Sequence, residues 1–319
     1  MGTDLMCAGD LYENTSLDVN DQLRLLKSQG ITFPCARGLC ARRVLEEERT
    51  FEQLYMYREL FDRRVGGSQE GTYSNLDFSH LLRLARLDQH IRNSLLSLAL
   101  DIEQTVRTRI VQEATRHHED QYAIVQDYLM SLPVCEQRRR RAELKTAERN
   151  TYVAQEYKHH ADRLPLQVYV ELVSFGTLSD LYLFCARRWN DKEMQRNHYL
   201  LKSVRRMRNA CAHGSPVLNG IARADANTGL DTHMVQTIAA TGVSKRARSK
   251  HLRSERMRHL VTTLYTHNKL VTSRYAHARA SKTLHDLAKE LQANAYAITS
   301  SDSFNAFVAF LCRIISAWF

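Results

Sequence analysis

The chain has 319 residues, of which 44% are hydrophobic and 25% are charged, values typical of a soluble protein with one large or two moderate domains. It contains no run of about 18 uncharged apolar residues, and its first residues lack the basic and then apolar pattern of a signal peptide. We therefore expect a cytoplasmic protein with no membrane span. Its 45 Lys and Arg outnumber 35 Asp and Glu, and the net charge of +10 favours a polyanionic partner, nucleic acid before an anionic membrane surface. A basic surface that is merely solvated is the alternative.

The cysteines show no pattern of a disulfide framework or a zinc ribbon. Their number is odd and no CxxC pair occurs. We expect reduced and mostly buried thiols. The seven positions are Cys7, Cys35, Cys40, Cys135, Cys185, Cys211 and Cys312.

Helix-breaking residues are scarce between residues 73 and 175. No glycine occurs from Tyr73 to Phe175, and only Pro133 and Pro165 interrupt that span. Apolar residues recur at helical spacing in several segments, and alternating strand patterns are rare. We therefore predict an all-α fold.

Five apolar stripes indicate core-facing helices. Gly176 interrupts the second stripe, and Ser301 begins a capping signal before the fifth. The fifth stripe is too short and too amphipathic to span a membrane, so we expect it to dock on the core or on a partner chain. The stripes cover residues 81–110, 168–182, 200–211, 284–291 and 304–318.

Loop-forming residues divide the chain into three predicted regions. The glycine-rich stretch from Gly66 to Ser74 indicates a loop after an N-terminal helical region, residues 1–70. A helical core, residues 71–220, follows. Residues 219–245 are small and polar and indicate a long connection or a weakly helical insert, so residues 221–319 form a linker with basic and amphipathic C-terminal helices.

An arginine and a histidine stand where the third stripe ends. Gly214 and Pro216 are stop signals just beyond it. Arg208 and His213 are five residues apart, about 140° around an ideal helix, so they can converge only if the helix ends or unwinds near Ala212. The alternative is a purely structural role, in which His213 caps the helix and Arg208 makes a salt bridge.

This pair of side chains suits phosphodiester chemistry. A guanidinium can hold a phosphate and offset charge in the transition state, and an imidazole can move protons near neutral pH. RNA carries its own nucleophile, the 2′-hydroxyl, so the reaction needs no metal ion. One histidine would take that proton and a second would protonate the leaving 5′-oxygen. A single copy of the motif therefore suggests that two chains meet at one site.

Four stretches in the expected order resemble one bacterial protein family. RNACAHGSPVLN resembles the RN-x-x-AH-x-x-x-x-x-N signature of the Abi-like (abortive infection) proteins. DQLRLLKSQGITF, LDQHIRNSLLSLALDIEQTVRTRI and LPLQVYVELVSFGTLSDLY resemble three further segments of the same family. Together they cover roughly residues 20–220, and the combination is far more specific than any one of them.

The resemblance implies a fold and an activity. Abi-like proteins belong to the HEPN superfamily, which implies an all-α HEPN-type bundle, metal-independent endoribonuclease activity, and a homodimer with a composite active site. Carried over to this chain, Arg208 and His213 match the catalytic pair, and Asn209 matches the polar position between them. Glu103 and Arg107 match a supporting E-x-x-x-R pair at i and i+4. Glu171 belongs to a segment expected to build the wall beneath the site.

Two basic clusters could contact RNA phosphates, although each could also be a solvated helix face. The first comprises Arg138, Arg139, Arg140 and Arg141; the second includes Lys245, Arg246, Arg248, Lys250, Arg253 and Arg256. Two histidine pairs, beginning at His117 and His159, lack the spacing of a metal site, and no P-loop or G-x-G-x-x-G occurs. We therefore expect neither a metal nor a cofactor.

These observations give two functional hypotheses. The first is a metal-independent HEPN endoribonuclease that acts in phage defence (abortive infection) or as a toxin. The second is a non-catalytic RNA-binding protein that holds a structured non-coding RNA as guide, scaffold or inhibitor. The basic C-terminal segment motivates the second hypothesis, which predicts salt-sensitive RNA binding without cleavage.

Overall fold

A computed structural model describes residues 17–33, 39–152, 154–160, 163–221, 223–225, 231–298 and 301–319. Within these ranges the secondary structure is helical, with two isolated bridges and no strand. The predicted all-α class is therefore confirmed. Cys7, Cys35, part of the second histidine segment and part of the 219–245 connection lie outside the described residues.

Short helices precede the core. The helix α1 is capped by Asp18, whose carboxylate accepts a hydrogen bond from the backbone of Asp21 at 2.8 Å. A π-helical turn follows α2 and a 3₁₀ turn follows α3. The elements are α1 Val19–Ser28, α2 Leu39–Arg43, the π turn Val44–Glu48, α3 Phe51–Tyr55 and the 3₁₀ turn Met56–Leu60.

The predicted loop at residues 66–74 is confirmed. Gly66, Gly67 and Gly71 all have positive φ, a conformation that glycine adopts without a Cβ clash. A bridge between Arg63 and Tyr73 closes the loop at its base.

The long helix α4, Phe78–Arg116, is the axis of the fold. Its 39 residues span about 58 Å. A reciprocal capping box between Asp77 and His80 fixes its start. The first apolar stripe is buried along its whole length, as predicted, from Leu81 through Ile110.

Six helices, α5 to α10, make up the described middle part of the chain. The second stripe breaks at residues 173–174 rather than at Gly176, because Ser174 leaves the helical conformation and caps the next helix. Gly176 instead allows a close approach, since a Cβ there would lie 3.0 Å from Nη1 of Arg205. The elements are α5 Ala123–Ser131, α6 Val134–Glu148, α7 Ala154–His159, α8 Leu166–Leu172, α9 Phe175–Arg188 and α10 Lys192–Ala212.

Five more helices follow in the described residues after 230. The predicted cap at Ser301 is present, because its hydroxyl accepts a hydrogen bond from the backbone of Phe304 at 3.2 Å. The apolar face of the last helix docks on this chain's own core. The elements are α11 Thr232–Ala240, α12 Lys245–His251, α13 Glu255–Leu270, α14 Arg274–Ala297 and α15 Asp302–Trp318.

Two hydrophobic cores meet along α4 and α10. The first joins the N-terminal helices and the helices after residue 231 to the first half of α4 and the end of α10. The second joins α5, α6, α8 and α9 to the second half of α4, to residues of α10 that alternate with those of the first core, and to the junction of α13 and α14. The segment from Arg208 to His213 therefore ends a helix that is held by both cores. In the described part of the chain, no helix has the length and apolar character needed to cross a membrane.

Candidate active site

Arg208 faces a buried carboxylate on α4. Its Nε lies 3.8 Å from Oε2 of Glu103, whose side chain is only 5% exposed. This distance is too long for a hydrogen bond, and both atoms lack a hydrogen-bond partner among the described residues. The guanidinium is thus held by charge on its inner side while about a third of the side chain stays exposed.

The predicted Glu103–Arg107 pair is formed and is itself anchored. Nη2 of Arg107 donates to Oε1 of Glu103 at 2.6 Å, and Nε donates to the carbonyl of Val170 at 3.0 Å. Glu171 is half exposed and lies 3.7 Å from the same Nε. One carboxylate oxygen of Glu103 contacts Arg107 and the other faces Arg208. Since Arg107 also binds the backbone of Val170, these contacts link α4, α8 and α10.

His213 lies one position beyond the end of α10. The helix ends at Ala212, and the backbone N–H of His213 makes the last helical hydrogen bond, to the carbonyl of Asn209 at 3.0 Å. Gly214 then turns the chain with a φ of 71°, and Ser215 donates back to the carbonyl of Ala210, a Schellman-type end. The stop signals at Gly214 and Pro216 are confirmed.

The His213 imidazole is exposed and has no side-chain hydrogen bond or ion pair within the described residues. Asn209 is also exposed, and its Oδ1 accepts from Nη1 of Arg208 at 3.4 Å. Among the described residues, no hydrogen bond or ion pair joins the side chains of Arg208 and His213. The exposed imidazole is available to a ligand or to a second chain.

Asp88 and Arg92 lie in one of the family-like segments but were given no role from the sequence; they set the path of the chain after His213. Asp88 is fully buried and accepts hydrogen bonds from the backbones of Val217 at 2.7 Å and Leu218 at 2.6 Å. It also forms an ion pair with Arg92 one turn further along α4. The available signal was two charged residues at i and i+4 inside the apolar stripe between Leu84 and Leu95.

The start of α13 holds the same loop from the other side. Arg256 of the second basic cluster donates to the carbonyl of Pro216, and the Ser254 hydroxyl donates to the carbonyl of Gly220 at 3.2 Å. Cys211 packs beneath the loop, where burial raises the pKa of its thiol to about 12. It is therefore a packed core residue rather than a reactive thiol.

The first basic cluster divides into exposed and held arginines. Arg138, Arg139 and Arg141 are exposed. Arg140 is only 14% exposed in its side chain, and it pairs with Asp180 at 2.8 Å. It lies within 4 Å of carboxylates of Glu136 and Glu143 as well, so it ties α6 to α9.

The second basic cluster surrounds α12. Lys245, Arg246, Lys250 and Arg253 are exposed, whereas Arg248 bends back to the carbonyl of Val243. None of the first four forms an ion pair within the described ranges, so this surface presents cations without acidic partners.

The first histidine pair has structural surroundings. His117 stacks on Trp189 with ring centroids 5.1 Å apart, and the adjacent Glu119 pairs with Arg188 at 2.6 Å. His159 and His160 contact each other edge to face. Among the described residues, no group of three or more His, Cys, Asp or Glu side chains is arranged to hold a metal ion.

The described structure is that of an all-α protein with an arginine and a histidine at the end of one helix. A comparison with protein families shows which family it belongs to. The model of the Abi-like protein family matches residues 44–219. This match covers more than half of the chain, and the chain therefore belongs to the Abi-like family. The family's name refers to abortive infection, a bacterial response to phage. Searches of curated proteins and of solved structures gave no match.

Proposed function

We propose that this Abi-like protein is a metal-independent endoribonuclease of the HEPN type that acts in phage defence or as a toxin. The observation that carries the proposal is the placement of Arg208. Buried Glu103 holds one side of its guanidinium, while the side chain stays partly exposed beside the exposed Asn209 and His213. An oriented cation and an exposed imidazole at the same helix end are two groups that phosphodiester cleavage can use.

In the proposed reaction the RNA supplies the nucleophile. His213 takes the proton of the 2′-hydroxyl, whose oxygen attacks the adjacent phosphorus and forms a 2′,3′-cyclic phosphate. Arg208 binds the non-bridging phosphate oxygens and offsets their growing charge. The 5′-oxygen of the next nucleotide leaves and receives a proton from a second imidazole.

That second imidazole would be His213 of a second protomer. Within one chain the His213 side chain has no imidazole partner among the described residues, and its exposure at a helix end leaves it open to another copy. A symmetric dimer would place two Arg208–His213 pairs at one composite site. Mixing wild-type chains with His213→Ala chains tests this, because activity should fall with the square of the wild-type fraction rather than in proportion to it.

The deciding experiment measures cleavage of labelled single-stranded RNA in the presence of EDTA. His213→Ala should lower the rate by roughly 10²–10⁴-fold, the usual contribution of general acid–base catalysis. His233→Ala, which removes an exposed histidine outside the motif, is the matched control and should cleave like the wild type. The products should carry 2′,3′-cyclic phosphate ends. Full activity of pure, folded His213→Ala would refute the mechanism.

A second candidate function is RNA binding without catalysis. The exposed cations around α12 favour it, because they form no ion pair within the described ranges and such a surface suits a phosphate backbone. In this case a defined non-coding RNA would copurify equally with wild type and His213→Ala, and neither protein would cleave RNA.

A further inference from the structure

A groove lies between α15 and the turn that leads into α12, away from Arg208 and His213. Its volume is about 510 Å³. This size falls within the range of small-molecule sites. No residue that lines it belongs to the arginine–histidine motif or its supports.

The floor of the groove is apolar. Ala306, Ala309 and Phe310 occupy one face of α15, at i, i+3 and i+4, while the opposite face packs into the core. The two alanines leave the space open. His251 stacks on Phe310, with ring centroids 4.5 Å apart and an interplanar angle of 27°. Both residues line the groove, so the stacked pair closes one side of it with aromatic atoms.

His251 adds aromatic surface and no charge. It is buried, and burial lowers the pKa of its imidazole, with the positive charge of Lys250 acting in the same direction. The ring is therefore neutral at physiological pH.

The charged side chains that line the groove, among the described residues, are all cationic. Arg246, Lys250 and Arg313 line it, and no described Asp or Glu does. Arg246 and Lys250 are spaced i and i+4 on α12, and both are exposed. Neither makes an ion pair within the described ranges, so both are available to an anion.

Arg313 is fixed in place by the turn before α12. Its Nε donates to the carbonyl of Thr241 at 2.6 Å. The next residue, Gly242, has a φ of 81°, and a Cβ there would lie only 2.7 Å from Nη2 of Arg313. Only glycine therefore permits both this turn and this position of the guanidinium.

We propose that this groove binds a nucleoside phosphate, with the flat base against the apolar wall and the phosphate on Arg246, Lys250 and Arg313. An apolar floor with an aromatic wall suits a base, and three cations without an acid suit a phosphate. The ligand is either a free nucleotide, which would act as an effector, or one nucleotide of an RNA strand. Binding of an RNA strand in the groove rests on the proposed function, whereas binding of a free nucleotide does not.

The test is calorimetric titration of the full-length chain carrying His213→Ala, so that cleavage cannot consume an RNA ligand. The probes are AMP, a short single-stranded oligoadenylate and dodecyl phosphate. Arg246→Glu/Lys250→Glu reverses the rim charge, and Ala309→Trp fills the groove without changing charge. Arg274→Glu/Lys282→Glu makes the same charge change at two exposed α14 cations outside the groove and is the matched control.

Both groove variants should weaken nucleotide binding by at least roughly tenfold while the control binds normally. Loss of AMP binding identifies a free nucleotide, and loss confined to oligoadenylate identifies an RNA strand. The proposal is overturned if both nucleotide probes bind the groove variants as tightly as they bind the control. It is also overturned if neither nucleotide probe binds or if only dodecyl phosphate does. Cleavage by chains with intact His213 is measured separately, so failure here leaves the proposed reaction untouched.

Discussion

Helix α4 carries two ion pairs with the same i, i+4 spacing, and both hold the chain segment that contains Arg208 and His213. Asp88–Arg92 lies toward the start of the helix, and Glu103–Arg107 lies about 22 Å further along it. In sequence the two pairs look alike. Their surroundings differ because α10 and its following loop pass them at different points.

The two carboxylates are satisfied differently. Asp88 accepts two backbone N–H groups, from Val217 and Leu218, in addition to its arginine. Glu103 has one oxygen on Arg107 at 2.6 Å, while the other faces Arg208 at 3.8 Å without a hydrogen bond. Asp88 therefore fixes where the backbone runs after the motif, whereas Glu103 orients a side chain that is left partly free to bind.

The largest expected difference between the two ion pairs is in stability, and Asp88→Ala should reveal it. The substitution leaves Arg92 buried without its partner and leaves two buried N–H groups without an acceptor. The free energy of unfolding should fall by about 3–5 kcal/mol. Urea denaturation followed by circular dichroism measures the loss.

A double variant separates the contribution of the ion pair to stability from that of the backbone hydrogen bonds. Arg92→Met/Asp88→Leu removes both charges, so a protein stabilised by the ion pair alone should regain most of the lost stability. We expect little recovery, because the N–H groups of Val217 and Leu218 remain unpaired. Full recovery would show that the loop does not depend on Asp88.

The next effect is on activity, in Glu103→Gln. The amide keeps the shape of the side chain but removes the charge that faces Arg208. Under the proposed function kcat/KM should fall by roughly tenfold to a hundredfold, because a displaced guanidinium no longer meets the transition state. The unfolding free energy should fall by only about 1–3 kcal/mol.

Glu113→Gln is the control for this variant. It removes the carboxylate of another arginine pair on the same helix, with Arg116 at 2.7 Å, but far from Arg208. Stability should change by about 1 kcal/mol or less, since the Arg116 side chain is exposed and the amide of Gln can keep a hydrogen bond to it. Cleavage should be unchanged. An equal loss of kcat/KM in both variants would contradict a positioning role for Glu103.

The two ion pairs of α4 also show which features a sequence pattern can predict. The apolar period of α4, the cap at Ser301 and the stop at Gly214 are local signals, and each was confirmed. The pairing of Glu103 with Arg107 follows from their helical spacing and was expected. These features depend on residues within about one turn of one another.

What the sequence did not predict depends on contacts between distant segments. Asp88 meets Val217 across 129 positions, and Arg256 meets Pro216 across 40. The same holds for Arg140, whose partner Asp180 lies 40 residues away and turns one arginine of a basic run into a link between helices. Charge clusters alone cannot tell an exposed arginine from one that is already paired, because the partner comes from another helix.

The smallest expected effect is a pH dependence at Asp88. Burial raises the pKa of this carboxyl, opposed by the hydrogen bond from Leu218 and the charge of Arg92. The folded chain then binds a proton more readily than the unfolded chain, so this contribution to stability is lost as pH rises through the raised pKa. It is fully present below the unfolded pKa of about 3.9. The unfolding free energy of the wild type, compared with Asp88→Asn, should therefore increase as pH falls from neutral. A difference that narrows instead would mean that the hydrogen bonds and Arg92 outweigh burial, and that Asp88 stabilises the loop as a full anion.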